Sequence, residues 1–141
     1  MSTEQKKAIV RRFFQGFEAR DQAALKAVLA SDLVAHHPGS PEPVNREALL
    51  QTISAFGAAF SDQEYTMEEQ IAEGDSVVTR TTWNATHSGE FQGQPPTGRQ
   101  VAVEGIAVDR IEGGKIVEHR VLMDTMGLMR QVGLVPPAGQ G

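Results

Sequence analysis

With 18 acidic side chains against 13 lysines and arginines, the 141-residue chain carries a formal net charge of −5. It has no basic field to neutralise phosphates, which argues against a nucleic-acid binder. The lack of cysteine excludes disulfides, zinc–thiolate centres and thiol nucleophiles, and no apolar run approaches the ~20 residues that span a bilayer.

A composition 40% hydrophobic and 22% charged suits one soluble globular domain able to bury a core without staples. The opening MSTEQKKAIVRRFF has basic residues but no hydrophobic segment or small-residue cleavage site behind them. No signal peptide is read, and a cytoplasmic location is expected.

Ser2 or Thr3 can cap a first helix with Glu4 in its first turn. Ala8, Ile9, Val10, Phe13, Phe14 and Phe17 recur at helical spacing and form a broad apolar stripe, with Lys6, Lys7, Arg11, Arg12 and Glu18 outside it. Asp21 caps a shorter helix over Gln22–Leu29. The chain then extends through Ser31–His37 until Pro38-Gly39 breaks it. Asn45 is the candidate cap of a third helix running to about Phe60, with Leu49, Leu50, Ile53 and Phe56 turned inward.

Strands follow: Glu64–Glu73, a Gly74-Asp75 turn, and the long Ser76–His87. Ser88–Arg99, rich in glycine and proline, reads as a loop across one end of the sheet. In Val101–Asp124, Gly113-Gly114 supplies the positive φ angles of a two-residue hairpin turn. A regular register sets Ile111 opposite Ile116, Ala107 opposite Arg120, Gly105 opposite Leu122 and Val103 opposite Asp124. Glu118, Arg120, Leu122 and Asp124 then share one face, and His119, Val121 and Met123 the other. An acid and an arginine beside residues as small as Gly105 and Ala107 predict a hollow rather than a packed layer. A short helical turn over Met126–Val132 ends the ordered chain.

Helices followed by a run of antiparallel strands imply an α+β fold, with helices packed on one face of a curved sheet and a conical cavity between them. A single domain over 1–135 and a disordered tail over 136–141 are expected. The long strands with mixed faces suggest a second subunit over the outer sheet, hence a homodimer.

The order of an amphipathic helix, DLVAHHP, IAEGDSVVTRTTWNATHSGEFQGQPPTGRQV, GIAVDRIEGGKIVEHRVLMD and GLMRQVG resembles the SnoaL-like polyketide cyclases, over roughly residues 5–135. These belong to the nuclear-transport-factor-two-like superfamily of α+β cones. The resemblance implies a cofactor-free, metal-free enzyme. It also implies that an aspartate at the position matching Asp124 serves as the acid/base of an intramolecular aldol ring closure. The family often carries a tryptophan directly after its Glu-His step, where this chain has Arg120. The superfamily also holds isomerases, epoxide hydrolases, dehydratases and non-catalytic binders, so fold alone does not fix the reaction.

An aldol closure needs a base for the proton α to a carbonyl and an acid for the resulting alkoxide. One carboxyl can serve both in turn if burial raises its pKa. Asp124 is the candidate. Its other readings are a partner for Arg120 or a cap for a helix starting near Thr125. Arg120, about 13 Å along the strand at ~3.3 Å per residue, can hold an anionic substrate or stabilise an enolate. Equally, it can pair with Glu118 or Asp109.

His36 matches the family's histidine after its first acidic–apolar step and is placed at the cavity mouth. Phe13 and Phe17 pack the core and can line the cavity. Trp83 and His87 share a strand face and can cover an apolar substrate or belong to the core. His119, on the opposite parity from Asp124, is assigned to the other side of the sheet as a subunit contact. No histidine spacing makes a recognisable metal set.

The function read from the chain is acid/base ring closure or isomerisation of a small enolisable carbonyl compound. Two alternatives stand beside it. One is non-catalytic binding of a hydrophobic ligand. The other is an epoxide-hydrolase-like site built from Asp124, Glu104 and Arg80 or Arg99. An isomerase using the lone Tyr65 as oxyanion donor fits poorly.

Overall fold

A computed structural model describes residues 1–136. The elements in chain order are α1 (Thr3–Ala19), α2 (Gln22–Val28), β1 (Leu29–His36), α3 (Arg46–Ala59), β2 (Phe60–Glu73), β3 (Ser76–His87), β4 (Gln100–Glu112), β5 (Lys115–Met123) and α4 (Thr125–Gln131). The proposed caps form. Ser2 makes a capping box with Gln5, and Asp21 and Asn45 accept the backbone N–H groups of Ala24 and Ala48. The expected tail falls, beyond Pro136, outside the described residues.

The five strands form one sheet in the order β1-β5-β4-β3-β2, antiparallel except for the parallel β1–β5 pair. Beyond His36 the proline-rich loop folds back, and Val44 exchanges both backbone hydrogen bonds with Ala35 at 2.9 and 2.8 Å. The helices cover the inner face. Phe13, Phe14 and Ile9 of α1, Leu25 and Val28 of α2 and Leu49, Leu50 and Ile53 of α3 form one core with Val77, Ala107, Ile111 and Ile116. A second cluster gathers Phe60, Trp83, Val101, Val103 and Leu128.

The hairpin register departs from the regular one. Ile111 does face Ile116, but the ladder slips there, so that Asp109 faces His119, Val108 faces Arg120 and Gly105 faces Met123. The physical reason lies in β5. Ile116 and His119 are three residues apart and both buried, which strict alternation forbids. An extra residue at Val117 absorbs the odd spacing as a bulge and turns both inward. His119 therefore lies in the core and not at a subunit contact. Ile106 and Val108, rather than Gly105 and Ala107, share the face of Arg120 and Leu122.

Candidate functional site

Asp124 ends β5 and begins α4. Its carboxylate accepts the N–H of Gly127 at 2.9 Å and caps that helix. Its own N–H donates to the Glu104 carbonyl at 2.9 Å, which ties the cap to β4. Asp124 is exposed and stands at the edge of a concavity of about 590 Å³ over the outer sheet face. His36, Arg120, Glu104 and Arg80 line the same hollow, with Ile106, Val108 and Leu122 supplying apolar surface.

Of the seven residues singled out from sequence, the structure brings Asp124, Arg120 and His36 together here. Phe13, Phe17, Trp83 and His87 lie on the helix-covered side instead. Phe13 and Phe17 meet edge to face at 6.3 Å. The Trp83 indole N–H donates to Gln63 at 3.0 Å, and His87 Nδ1 lies 2.9 Å from the Thr97 hydroxyl. These polar contacts fix the two rings in the core.

Glu118 lies between His36 and Arg120. Its Oε2 is 3.4 Å from His36 Nε2 and 3.8 Å from Arg120 Nη2. Arg80, considered with Asp124 and Glu104 for an epoxide-hydrolase-like site, pairs with Glu69 at 3.5 Å. Arg99, the other arginine considered for that role, donates to the Gln131 carbonyl. Among the described residues no set of three histidine, aspartate or glutamate side chains converges to hold a metal.

Sequence reasoning missed a buried pair on the inner face. His119 Nδ1 and Asp109 Oδ1 are 2.6 Å apart, with the residues 3% and 0% exposed. The Phe13 ring lies 5.0 Å from the imidazole, and Asp109 Oδ2 is buried without a partner. A carboxylate on Nδ1 fixes the imidazole's orientation and leaves Nε2 as its free nitrogen. The signal that could have found the pair is the odd Ile116–His119 spacing.

A family model described as SnoaL-like polyketide cyclase matches residues 7–132. The chain belongs to the SnoaL-like polyketide cyclase family. It is 33% identical over 103 residues to aklanonic acid methyl ester cyclase DnrD of Streptomyces peucetius, covering 72% of this chain and 71% of that one. It is also 33% identical over 96 residues to nogalonic acid methyl ester cyclase of Streptomyces nogalater, covering 67% and 72%.

Among solved structures, wild-type IdmH of Streptomyces antibioticus superposes with a TM-score of 0.83 at 31% identity, over 92% of this chain and 99% of that one. AclR of Streptomyces galilaeus gives 0.89 at 26% identity, over 99% and 87%. AclR's suggested activity is hydroxylation, so closeness of fold within this SnoaL-like group does not by itself fix the reaction.

Proposed function

We propose that this SnoaL-like protein is a cofactor-free acid/base catalyst of the polyketide-cyclase type, closing a ring or shifting a double bond in a small enolisable carbonyl compound. The convergence of Asp124, Arg120 and His36 on one partly apolar concavity carries this reading. Asp124 takes the proton α to the carbonyl and returns it to the alkoxide, while Arg120 supplies positive charge to the substrate. The curated relatives act, by their names, on methyl esters of polyketide acids, which makes such esters the first substrates to try.

The protein is further proposed to work in the cytoplasm as a homodimer. Light scattering at micromolar concentration tests that.

A second reading places the base at His119, held by Asp109 at 2.6 Å. The two are separated by α-proton exchange in deuterated buffer, followed by NMR on aklanonic acid methyl ester and simpler β-keto esters. Asparagine is as good a helix cap as aspartate, so Asp124→Asn removes the base and keeps the cap. Exchange should fall by about 10²–10⁴-fold in Asp124→Asn. Full exchange in Asp124→Asn with loss in His119→Gln would move the base to His119. No exchange in the wild-type protein with any substrate, despite binding, would leave the ligand-binding alternative.

A further inference from the structure

The motif GLMRQVG supplies most of α4 and its exit. A helix of seven residues has too few turns to hold a direction by itself, so the orientation of α4 is set from outside. β5 ends at Met123, opposite Gly105. On that side β4 continues back to Gln100 with no strand beside it among the described residues.

Two groups of α4 take the vacated place. The Asp124 N–H donates to the Glu104 carbonyl at 2.9 Å. Two residues further along β4, Gln131 closes a ring with Ala102. Its Oε1 accepts the Ala102 N–H at 2.7 Å, and its Nε2 donates to the Ala102 carbonyl at 2.9 Å. In an antiparallel ladder the N–H and C=O of one residue point to the same side, so a single primary amide can answer both as an opposing strand residue would. Glutamine and asparagine are the side chains that carry donor and acceptor on one planar end, and asparagine is a methylene shorter. Arg99 Nη1 donates to the Gln131 carbonyl at 3.1 Å, which holds the residue from its backbone as well.

Asp124 and Gln131 are seven positions apart, close to two full turns, so both lie on the face of α4 turned to β4. β4 thus grips the helix at each end of one face. A roll of α4 would swing the Asp124 carboxylate, which accepts the Gly127 N–H at 2.9 Å, across the rim of the concavity. Resting on the acid/base reading of Asp124, we propose that Gln131 is the positioning residue for that carboxylate, acting through Ala102 and the axis of α4. Gln131 does not line the concavity, so it contributes direction and not contact. Direction matters for rate, because a misplacement of about 1 Å can cost about 10²-fold.

The test combines rates with a direct view of the cap. Gln131→Met keeps the length and bulk of the side chain and removes both bonds to Ala102. In the α-proton exchange assay its kcat should fall by about 10–100-fold with KM within about twofold of wild type. Asp21→Ala, which strips α2 of its cap, is a control of comparable destabilisation and should keep the wild-type rate. The Gly127 amide reads the carboxylate it donates to, so its NMR shift should follow the titration of Asp124 in the wild type and not in Asp124→Asn. In Gln131→Met that pH-dependent movement should shrink. A Gly127 amide that titrates unchanged in Gln131→Met, a wild-type kcat in that variant, or an equal loss of rate in Asp21→Ala would overturn the proposal. Failure of the acid/base reading shows elsewhere, as exchange that is absent from the wild-type protein or survives Asp124→Asn. The Gly127 amide then decides alone whether Gln131 holds Asp124.

Discussion

Removing one member of the buried Asp109–His119 pair tests whether the bulge at Val117 exists to bring the two together. In Asp109→Ala, His119 Nδ1 loses its partner at 2.6 Å while the imidazole stays enclosed beside Phe13. A neutral buried donor left unpaired costs about 1–3 kcal/mol, and breaking a buried ion pair about 3–5 kcal/mol. Because both residues are almost wholly buried, water can do little to relieve the loss, and a value near 3 kcal/mol is expected. Asp109→Asn keeps an acceptor in place and should cost about half as much. Urea unfolding of the two variants, of His119→Leu and of Asp109→Ala/His119→Leu closes a double-mutant cycle, whose coupling should be about 2 kcal/mol. Additive single losses, or an alanine variant no worse than the asparagine one, would refute the argument and leave the pair a bystander to the packing of Ile111 and Ile116.

Three further outcomes follow from local geometry. Burial, reinforced by the charge of Glu18, raises the Tyr65 phenol above its ordinary range. The unfolded chain then loses this proton near pH 10 while the folded chain keeps it. Stability should fall above pH 10 by up to about 1.4 kcal/mol per unit and be unaffected below. Tyr65 is the single tyrosine, so absorbance at 295 nm reads it directly, and a folded-state transition near 10 would contradict the assignment.

A Cβ on Gly89 would lie 2.2 Å from the Ala58 carbonyl oxygen, so Gly89→Ala should destabilise by about 1–3 kcal/mol in thermal melts. The nearest atoms to a Cβ on Gly57 belong to the flexible side chain of Arg20, which would have to shift. Gly57→Ala in α3 should leave stability within about 1 kcal/mol, the helix propensity gained offsetting Arg20's displacement.

Much of the fold is legible in local chemistry. Ser2, Asp21 and Asn45 announce their helices because a short side-chain oxygen satisfies N–H groups that the first turn leaves open. Ser76–His87 is readable end to end, since its alternation continues unbroken between Asp75 and Ser88. The sheet face of each β5 residue from Glu118 onward is also readable, but its partner on β4 is not. That partner depends on the bulge, which arises from the joint demand of Ile116 and His119 for burial, a tertiary preference that strict two-residue periodicity cannot express.

The candidate site suffered from the same ambiguity. Asp124 was readable both as a base and as a helix cap. The structure places it in the second role, exposed at the rim of a concavity and without the burial that the first was expected to need. Phe13, Phe17, Trp83 and His87 were readable as pocket or core; even spacing from Val77 along β3 sets Trp83 and His87 on the core side, and α1 carries Phe13 and Phe17 into the same side.

The fold-back of Val44 onto Ala35 bears on how copies of this protein can meet. Ala35 has both backbone groups taken, and the loop that delivers Val44 carries Pro38, Pro41 and Pro43, which have no N–H to offer an incoming strand. At the opposite border, β2 shifts register twice, passes through a positive φ at Asp62, and bears Glu64, Glu68, Glu69 and Glu73. Both open margins of the sheet are thus poor templates for strand addition, while Leu122 and Ile106 stand exposed on its broad face. The architecture therefore disfavours a growing ribbon, even with apolar side chains left in water.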